Sequence, residues 1–75
     1  MPKQIMESRV NKAIELAKSK NQNIISCSKF YFDFYYPHER LDPVNDTKFT
    51  YLDIFNYLEE KGMVKEDGLV WRVHL

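Results

Sequence analysis

The chain has few of the residues that staple or hinge a small protein: one cysteine, two glycines and three prolines in 75 residues. A single cysteine excludes an internal disulfide, and Cys27 is expected to be a small core residue. Two glycines leave no material for a glycine-rich, phosphate-cradling loop. No apolar run approaches the ~18 residues of a membrane-spanning helix and no secretory leader is evident, so the chain reads as soluble and cytoplasmic, with no membrane contact. Cys27, His38 and His74 lack the spacing of metal ligands or of a nucleophilic triad, and adjacent Glu59 and Glu60 diverge on a helix. The expectation is therefore a non-enzymatic protein with no cofactor and no metal. Net charge is missing as well: eleven basic residues balance eleven acidic ones. That balance removes the simplest argument for a nucleic-acid partner.

The charge that is present is unevenly spread. Residues 1 to 29 carry six basic side chains against Glu7 and Glu15, a net of +4, and residues 30 to 75 carry five against nine, a net of −4. A dipolar molecule with a basic and an acidic face is one outcome of such a distribution. A chain of this length forms one domain, 1–75, and buries only about 60 to 65% of its unfolded surface. Its core must be used fully, and an aromatic content of 15% supplies the bulk.

Met6, Val10, Ala13, Ile14 and Ala17 recur at helical spacing, with Glu7, Asn11, Lys12, Glu15 and Lys18 on the opposite side, which predicts a first helix. The apolar-free run from Ser19 to Asn23 ends it. Further on, Asp46 and Thr47 offer a helix start before an amphipathic run from Phe49 to Lys61. Within that run Tyr51, Ile54, Phe55 and Leu58 form the i, i+3, i+4, i+7 stripe of a buried face. Gly62 sits where a left-handed residue ends a helix, and Met63 where a Schellman cap packs back on Leu58. Asp67-Gly68 between apolar runs signals a hairpin with a type I′ turn. With those two residues as the turn, Val64 faces Trp71, and Val64, Leu69, Trp71 and Val73 point to the core. Trp71 is then expected to be buried against the first or third helix.

Helix, Gly62, strand, Asp67-Gly68, strand is an order that resembles the C-terminal half of a winged helix-turn-helix domain. The third helix also resembles the regulator pattern Thr-Val-Ser-Arg-x-Leu-x-Arg-Leu-Glu-x-x-Gly. Thr50 matches the threonine, Tyr51 the valine, Phe55 and Leu58 the leucines, and Gly62 the glycine. Asp53 and Tyr57 stand where that pattern has arginines. The resemblance implies an α+β fold of three helices and a C-terminal two-stranded wing.

Residues 24 to 36 admit two readings. Phe30, Phe32, Phe34 and Tyr36 alternate with Tyr31, Asp33 and Tyr35, as in a strand. Alternatively Ile24 and Ile25 make a short strand and Ser26 caps a second helix with Phe30 and Phe34 in the core. The wing favours the helix, with Pro37 as its end. Pro37 to Asn45 then reads as a loop of about ten residues, longer than the three or four of a plain helix-turn-helix.

In DNA-binding members of the family, the third helix and the wing make the contacts. The resemblance thus implies Lys48, Thr50, Asn56, Tyr57, Lys65 and Arg72 as candidate nucleic-acid contacts. Asp53 and Glu60 oppose this, because carboxylates are repelled by phosphates. The expected function is a small winged-helix binding module. Nucleic-acid binding or a regulator-like role comes first, as the family's commonest use. The alternative is a protein-interaction module or small inhibitor whose acidic, aromatic face of Tyr35, Asp53, Tyr57 and Glu60 docks on a basic partner. The run from Phe30 to Tyr36 is too rich in rings to be wholly buried, and exposed tyrosines suit base stacking or a protein interface.

Overall fold

A computed structural model describes residues 2–75. Helix α1 spans Pro2–Ser19. Val10, Ala13 and Ala17 are buried, and Met6 and Ile14 pack half-buried against the same core, as their spacing predicts. Asn21 ends the helix in the left-handed region at φ 62. Its N–H donates to the Lys18 carbonyl and that of Gln22 to the Ala17 carbonyl, both at 3.0 Å. This is a Schellman cap with asparagine in the place usually held by glycine.

Strand β1, Ile24–Ser26, follows at once. The Ser26 side chain caps the next helix by accepting the Lys29 N–H at 3.2 Å, so the helical reading of the aromatic segment holds. Three helical stretches run on from each other here: Cys27–Lys29, a π-helical Phe30–Tyr35, and Tyr36–Arg40. Together they form α2, residues 27–40. Pro37 does not end it, contrary to the sequence reading. The hydrogen-bond register switches ahead of Pro37, with the Tyr36 N–H reaching back to Tyr31. The proline ring falls in the first turn of the last stretch, where its missing N–H is tolerated. The wide π turns also change which residues face inward. At 3.6 residues per turn His38 would follow Tyr31 and Tyr35 onto the buried face, whereas here Glu39 does.

Helix α3 spans Tyr51–Glu60, so Asp46 and Thr47 do not start it. Thr50 is the N-cap: its hydroxyl accepts the Asp53 N–H at 3.2 Å, and Asp53 accepts the Thr50 N–H at 2.9 Å. This reciprocal capping box fixes the first turn. The buried stripe is Ile54, Tyr57 and Leu58, while Phe55 is half-buried and Tyr51 exposed. The helix is therefore rotated from the expected face, bringing Tyr57 in and turning Tyr51 out. At its end Gly62 has φ +74 and Met63 donates to the Leu58 carbonyl at 3.0 Å, which is the anticipated Schellman cap.

Strands β2, Val64–Asp67, and β3, Val70–His74, form the wing. Their register pairs Asp67 with Val70, Glu66 with Trp71 and Val64 with Val73, which corrects the expected turn by one residue. The turn is Gly68-Leu69. Gly68 has φ +69 and Leu69 does not have positive φ, the pattern of a type II′ turn. A type I′ turn on Asp67-Gly68 would have forced an aspartate into the left-handed region. The wing also gains a third strand, since β1 pairs antiparallel with β3 and sets Ile25 opposite Val73. The fold is α+β: among the described residues, three helices and a three-stranded antiparallel sheet of order β1-β3-β2 in a winged-helix-like arrangement. Its core joins Val10, Ala13 and Ala17 of α1 to Phe30, Phe34 and Tyr35 of α2, Ile54 and Leu58 of α3, and Ile25 and Val73 of the sheet. Cys27 is buried among them.

Nothing lies within 4 Å of a Cβ built on Gly62. The cost of Gly62→Ala is therefore purely conformational, and equilibrium denaturation is expected to show a loss of about 1 kcal/mol.

Candidate functional site

The surface around α2 and α3 is held in place by one buried cation. Arg9, on α1, is only 2% exposed, and Glu39 only 3%. The guanidinium donates from Nε to Asp42 at 3.2 Å, from Nη1 to the Thr47 carbonyl at 2.8 Å, and from Nη2 to the Asn45 carbonyl at 3.0 Å. Nη1 also lies 3.4 Å from the Tyr35 hydroxyl and 3.5 Å from Glu39 Oε1. That carboxylate oxygen accepts in addition the Tyr35 hydroxyl at 3.1 Å and the Phe49 N–H at 2.8 Å. The Phe49 carbonyl takes the Tyr31 hydroxyl at 2.9 Å, and the Phe49 ring lies under the Arg9 cation at 5.9 Å. Residues 41–50 have no helix or strand of their own, and this network substitutes for one. Burial opposes the Arg9 charge, but Tyr35 and Asp42 more than offset it, so the group is held protonated.

With that segment pinned, α2, α3 and the wing present a continuous run of rings. Phe32 meets Tyr31 edge-on at 5.0 Å, and Tyr36 lies 6.4 Å from the same ring. Tyr31 meets Tyr51 at 5.7 Å, Tyr51 stacks on Phe55 at 6.3 Å, and Phe55 meets Trp71 edge-on at 5.6 Å. Phe32 is 61% exposed, Trp71 43%, and Tyr36 and Tyr51 are exposed as well. Trp71 thus packs on the third helix as expected but is not buried, because only the Val64–Val73 end of the wing reaches the core. Exposed Leu52, Leu69 and Val70 add apolar area on the same two elements. Burial, and after it the charges of Glu39, Tyr36 and Asp53, raise the Tyr31 hydroxyl pKa; burial does the same at Tyr51. Both hydroxyls are neutral at physiological pH. Exposed Asp33 and Asp53 sit on the elements that carry the rings, and exposed Glu66 stands opposite Trp71 on the same face of the sheet.

The residues singled out from the sequence divide sharply. Tyr35 is fully buried with its hydroxyl between Arg9 and Glu39, and Tyr57 is buried with Lys61 over its ring at 5.5 Å. Neither offers a contact surface, which corrects both assignments. Thr50 and Asp53 cap α3, and Asp53 is exposed, as expected, while it does so. Glu60 is exposed and pairs with Lys3 at 3.2 Å. Lys48 and Asn56 are exposed on the segment before α3 and on α3 itself. Lys65 and Arg72 are cross-strand partners on the sheet face away from the core, with Arg72 Nε 3.3 Å from Asp67. The sequence reading missed Arg9 and Glu39 altogether. Arg9 adjoins the apolar stripe of α1, the one signal that it faced inward.

His38 is not a loop residue but lies in the last stretch of α2, half-buried, with Nε2 enclosed and unpartnered. Burial first, and the Lys12 charge second, lower its pKa from the ordinary 6.5. Among the described residues no group of three His, Cys, Asp or Glu side chains is placed to hold a metal ion, and no helix is long and apolar enough to cross a membrane. No family model, curated protein or solved structure matches the chain.

Two outcomes are expected. Arg9→Met leaves Glu39 buried without its cation and should lower stability by about 3 to 5 kcal/mol in chemical denaturation. Adding Glu39→Gln removes the stranded charge and keeps an acceptor for the Phe49 N–H, so the double variant should be the more stable of the two. For His38, the folded chain takes up a proton less readily than the unfolded chain. Its contribution to stability is complete above pH ~6.5 and is lost as pH falls from there through the folded value. Denaturation midpoints across that window should slope downward in the wild type and less so in His38→Gln.

Proposed function

We propose that the protein is a non-enzymatic, cytoplasmic binding module of winged-helix type that recognises an arginine- and lysine-bearing protein surface through its aromatic strip. The observation that carries this reading is the strip itself, in which Phe32, Tyr36, Tyr51 and Trp71 are exposed and linked ring to ring across three elements. Exposed aromatic rings are the side chains that anchor protein interfaces, and their faces accept cations. Asp33, Asp53 and Glu66 around the rings supply the complementary charge. The same carboxylates would repel a phosphate backbone, and the chain has no net positive charge to offset them. The element order supports the winged-helix assignment.

Nucleic-acid binding is the second reading, and the outward-facing pair Lys65 and Arg72 favours it. Asp67 beside Arg72 weakens that footprint. Trp71 is the sole tryptophan and belongs to the strip, so its emission reports on occupancy directly. An arginine-rich polypeptide is expected to shift that emission, and Phe32→Ser to weaken the binding about tenfold or more. Phe32 is exposed, so its removal should change stability by no more than about 0.5 kcal/mol. If duplex DNA binds instead, insensitive to Phe32→Ser but losing affinity and salt dependence in Lys65→Ala with Arg72→Ala, the nucleic-acid reading replaces this one.

A further inference from the structure

The hydrogen-bonding groups of the aromatic strip narrow the kind of polypeptide that it can take. The Tyr31 and Tyr35 hydroxyls are bonded inside the protein, to the Phe49 carbonyl and to Glu39. The Tyr36 and Tyr51 hydroxyls and the Trp71 indole N–H enter none of the hydrogen bonds among the described residues, and all three residues are exposed. The backbone beneath the rings has nothing to add. The main-chain groups of α2 and α3 bond within their helices, and β3 is paired on one side with β1 and on the other with β2. An incoming strand therefore finds no free edge at the strip, and a helix brings carbonyls already bonded within itself. A polyproline II segment differs, because its carbonyls have no internal partner. Where its residues are proline it carries no N–H either. Laid on the strip, it gives the ring donors their acceptors and strands no donor of its own against the ring faces.

Ring geometry and charge suit the same segment. From Phe32 through Tyr31, Tyr51 and Phe55 to Trp71 the centroids advance in steps of 5.0 to 6.3 Å. All of these contacts but Tyr51 on Phe55 are steeply inclined, at 76° to 88°. Each inclined pair makes a corner of one ring's face and the next ring's edge, into which a compact pyrrolidine ring packs. A segment rising ~3.1 Å per residue follows that path with about seven residues. At the Trp71 end, Glu66 is the cross-strand partner of the indole, is exposed, and enters none of the ion pairs among the described residues. A guanidinium there meets a carboxylate and a ring face together.

Resting on the reading of the strip as a protein-binding surface, we propose that its partner is a proline-rich segment in the polyproline II conformation. An arginine at one end of that segment lies against Trp71 and Glu66, and the prolines lie against Tyr51, Tyr36 and Phe32. The probe is a blocked peptide of seven prolines flanked by an arginine on each side, titrated into the intact protein and followed by Trp71 emission. It is expected to bind at least about tenfold more tightly than peptides of the same length and charge with a flexible glycine–serine core or a helix-forming alanine core. Tyr51→Phe keeps the ring and removes one donor, and should weaken the proline peptide about threefold or more. Glu66→Gln should weaken it about threefold, yet leave unchanged the affinity for the same peptide with glutamine in place of both arginines.

Equal affinity for the three cores overturns the proposal. So does Tyr51→Phe binding as the wild type does, or Glu66→Gln weakening the glutamine-flanked peptide as much as the arginine-flanked one. Emission that shifts with protein concentration alone makes a second copy of the chain the occupant and overturns it too. If an arginine-rich polypeptide binds while the proline core confers no preference, the protein-binding reading stands and only this inference falls. If neither binds, both fall.

Discussion

The structure depends on a cation buried where a cation is most expensive. Arg9 sits on the core side of α1 and spends its donors on Asp42, Asn45, Thr47, Tyr35 and Glu39. Removing a guanidinium from water costs several kcal/mol, and this cost is offset only when its donors and a counter-charge are all engaged. The return is geometric: residues 41–50 have no regular backbone pairing, yet their carbonyls and one N–H are fixed by Arg9, Glu39 and Tyr31. Thr50 then stands ready as an N-cap, and α3 leaves the segment in a defined direction. The aromatic strip lies on elements that this network places.

What the sequence made legible is what local physics determines. The α1 stripe, the Ser26 cap, the Schellman cap at Gly62 and Met63, and the existence of a hairpin near Gly68 are all short-range chemistry, and all are present. The misreadings come from longer-range causes. A π-helical stretch switches the hydrogen-bond register ahead of Pro37, so a proline that reads as a terminus lies inside α2, and Glu39, which reads as loop, lies on its buried face. The hairpin turn moved by one residue, and the partner of Val64 by two, because a type II′ turn needs positive φ only at Gly68. Tyr57 and Tyr51 exchanged roles because the face of α3 is chosen by what α1 and the sheet leave open, which no window of its own sequence contains. Of the candidate site, the acidic and aromatic character was visible, but the particular rings were not: Tyr35 and Tyr57 are inside, and Phe32, Tyr36, Tyr51 and Trp71 are outside.

Aromatic surface and charge act together on the exposed side of α2, α3 and the wing. A domain this small, rich in rings, leaves some of them uncovered, but scattered rings would not touch one another. Here each exposed ring contacts another, either directly or through Tyr31 or Phe55. Contact of this kind restricts the rings to fixed orientations, so that less side-chain entropy would be lost were the strip to be covered. The capping box at Thr50 and Asp53 adds to the same effect by stiffening the turn that carries Tyr51.

The sheet has two free edges, and both are poor templates for another strand. β2 ends in Lys65, Glu66 and Asp67, and β1 is three residues long before Ser26 turns the chain into a helix. Short edges and charged edges are the means by which β proteins avoid recruiting further strands. The consequence concerns self-association. Leu69, Val70 and Trp71 expose a run of apolar, strand-forming residues of the sort that seeds cross-β stacking. Arg72 interrupts that run, and no long, uncharged edge lies beside it to propagate a ladder. The wing tip therefore pairs exposed apolar area with a backbone that lacks the long uncharged edge on which a cross-β ladder grows.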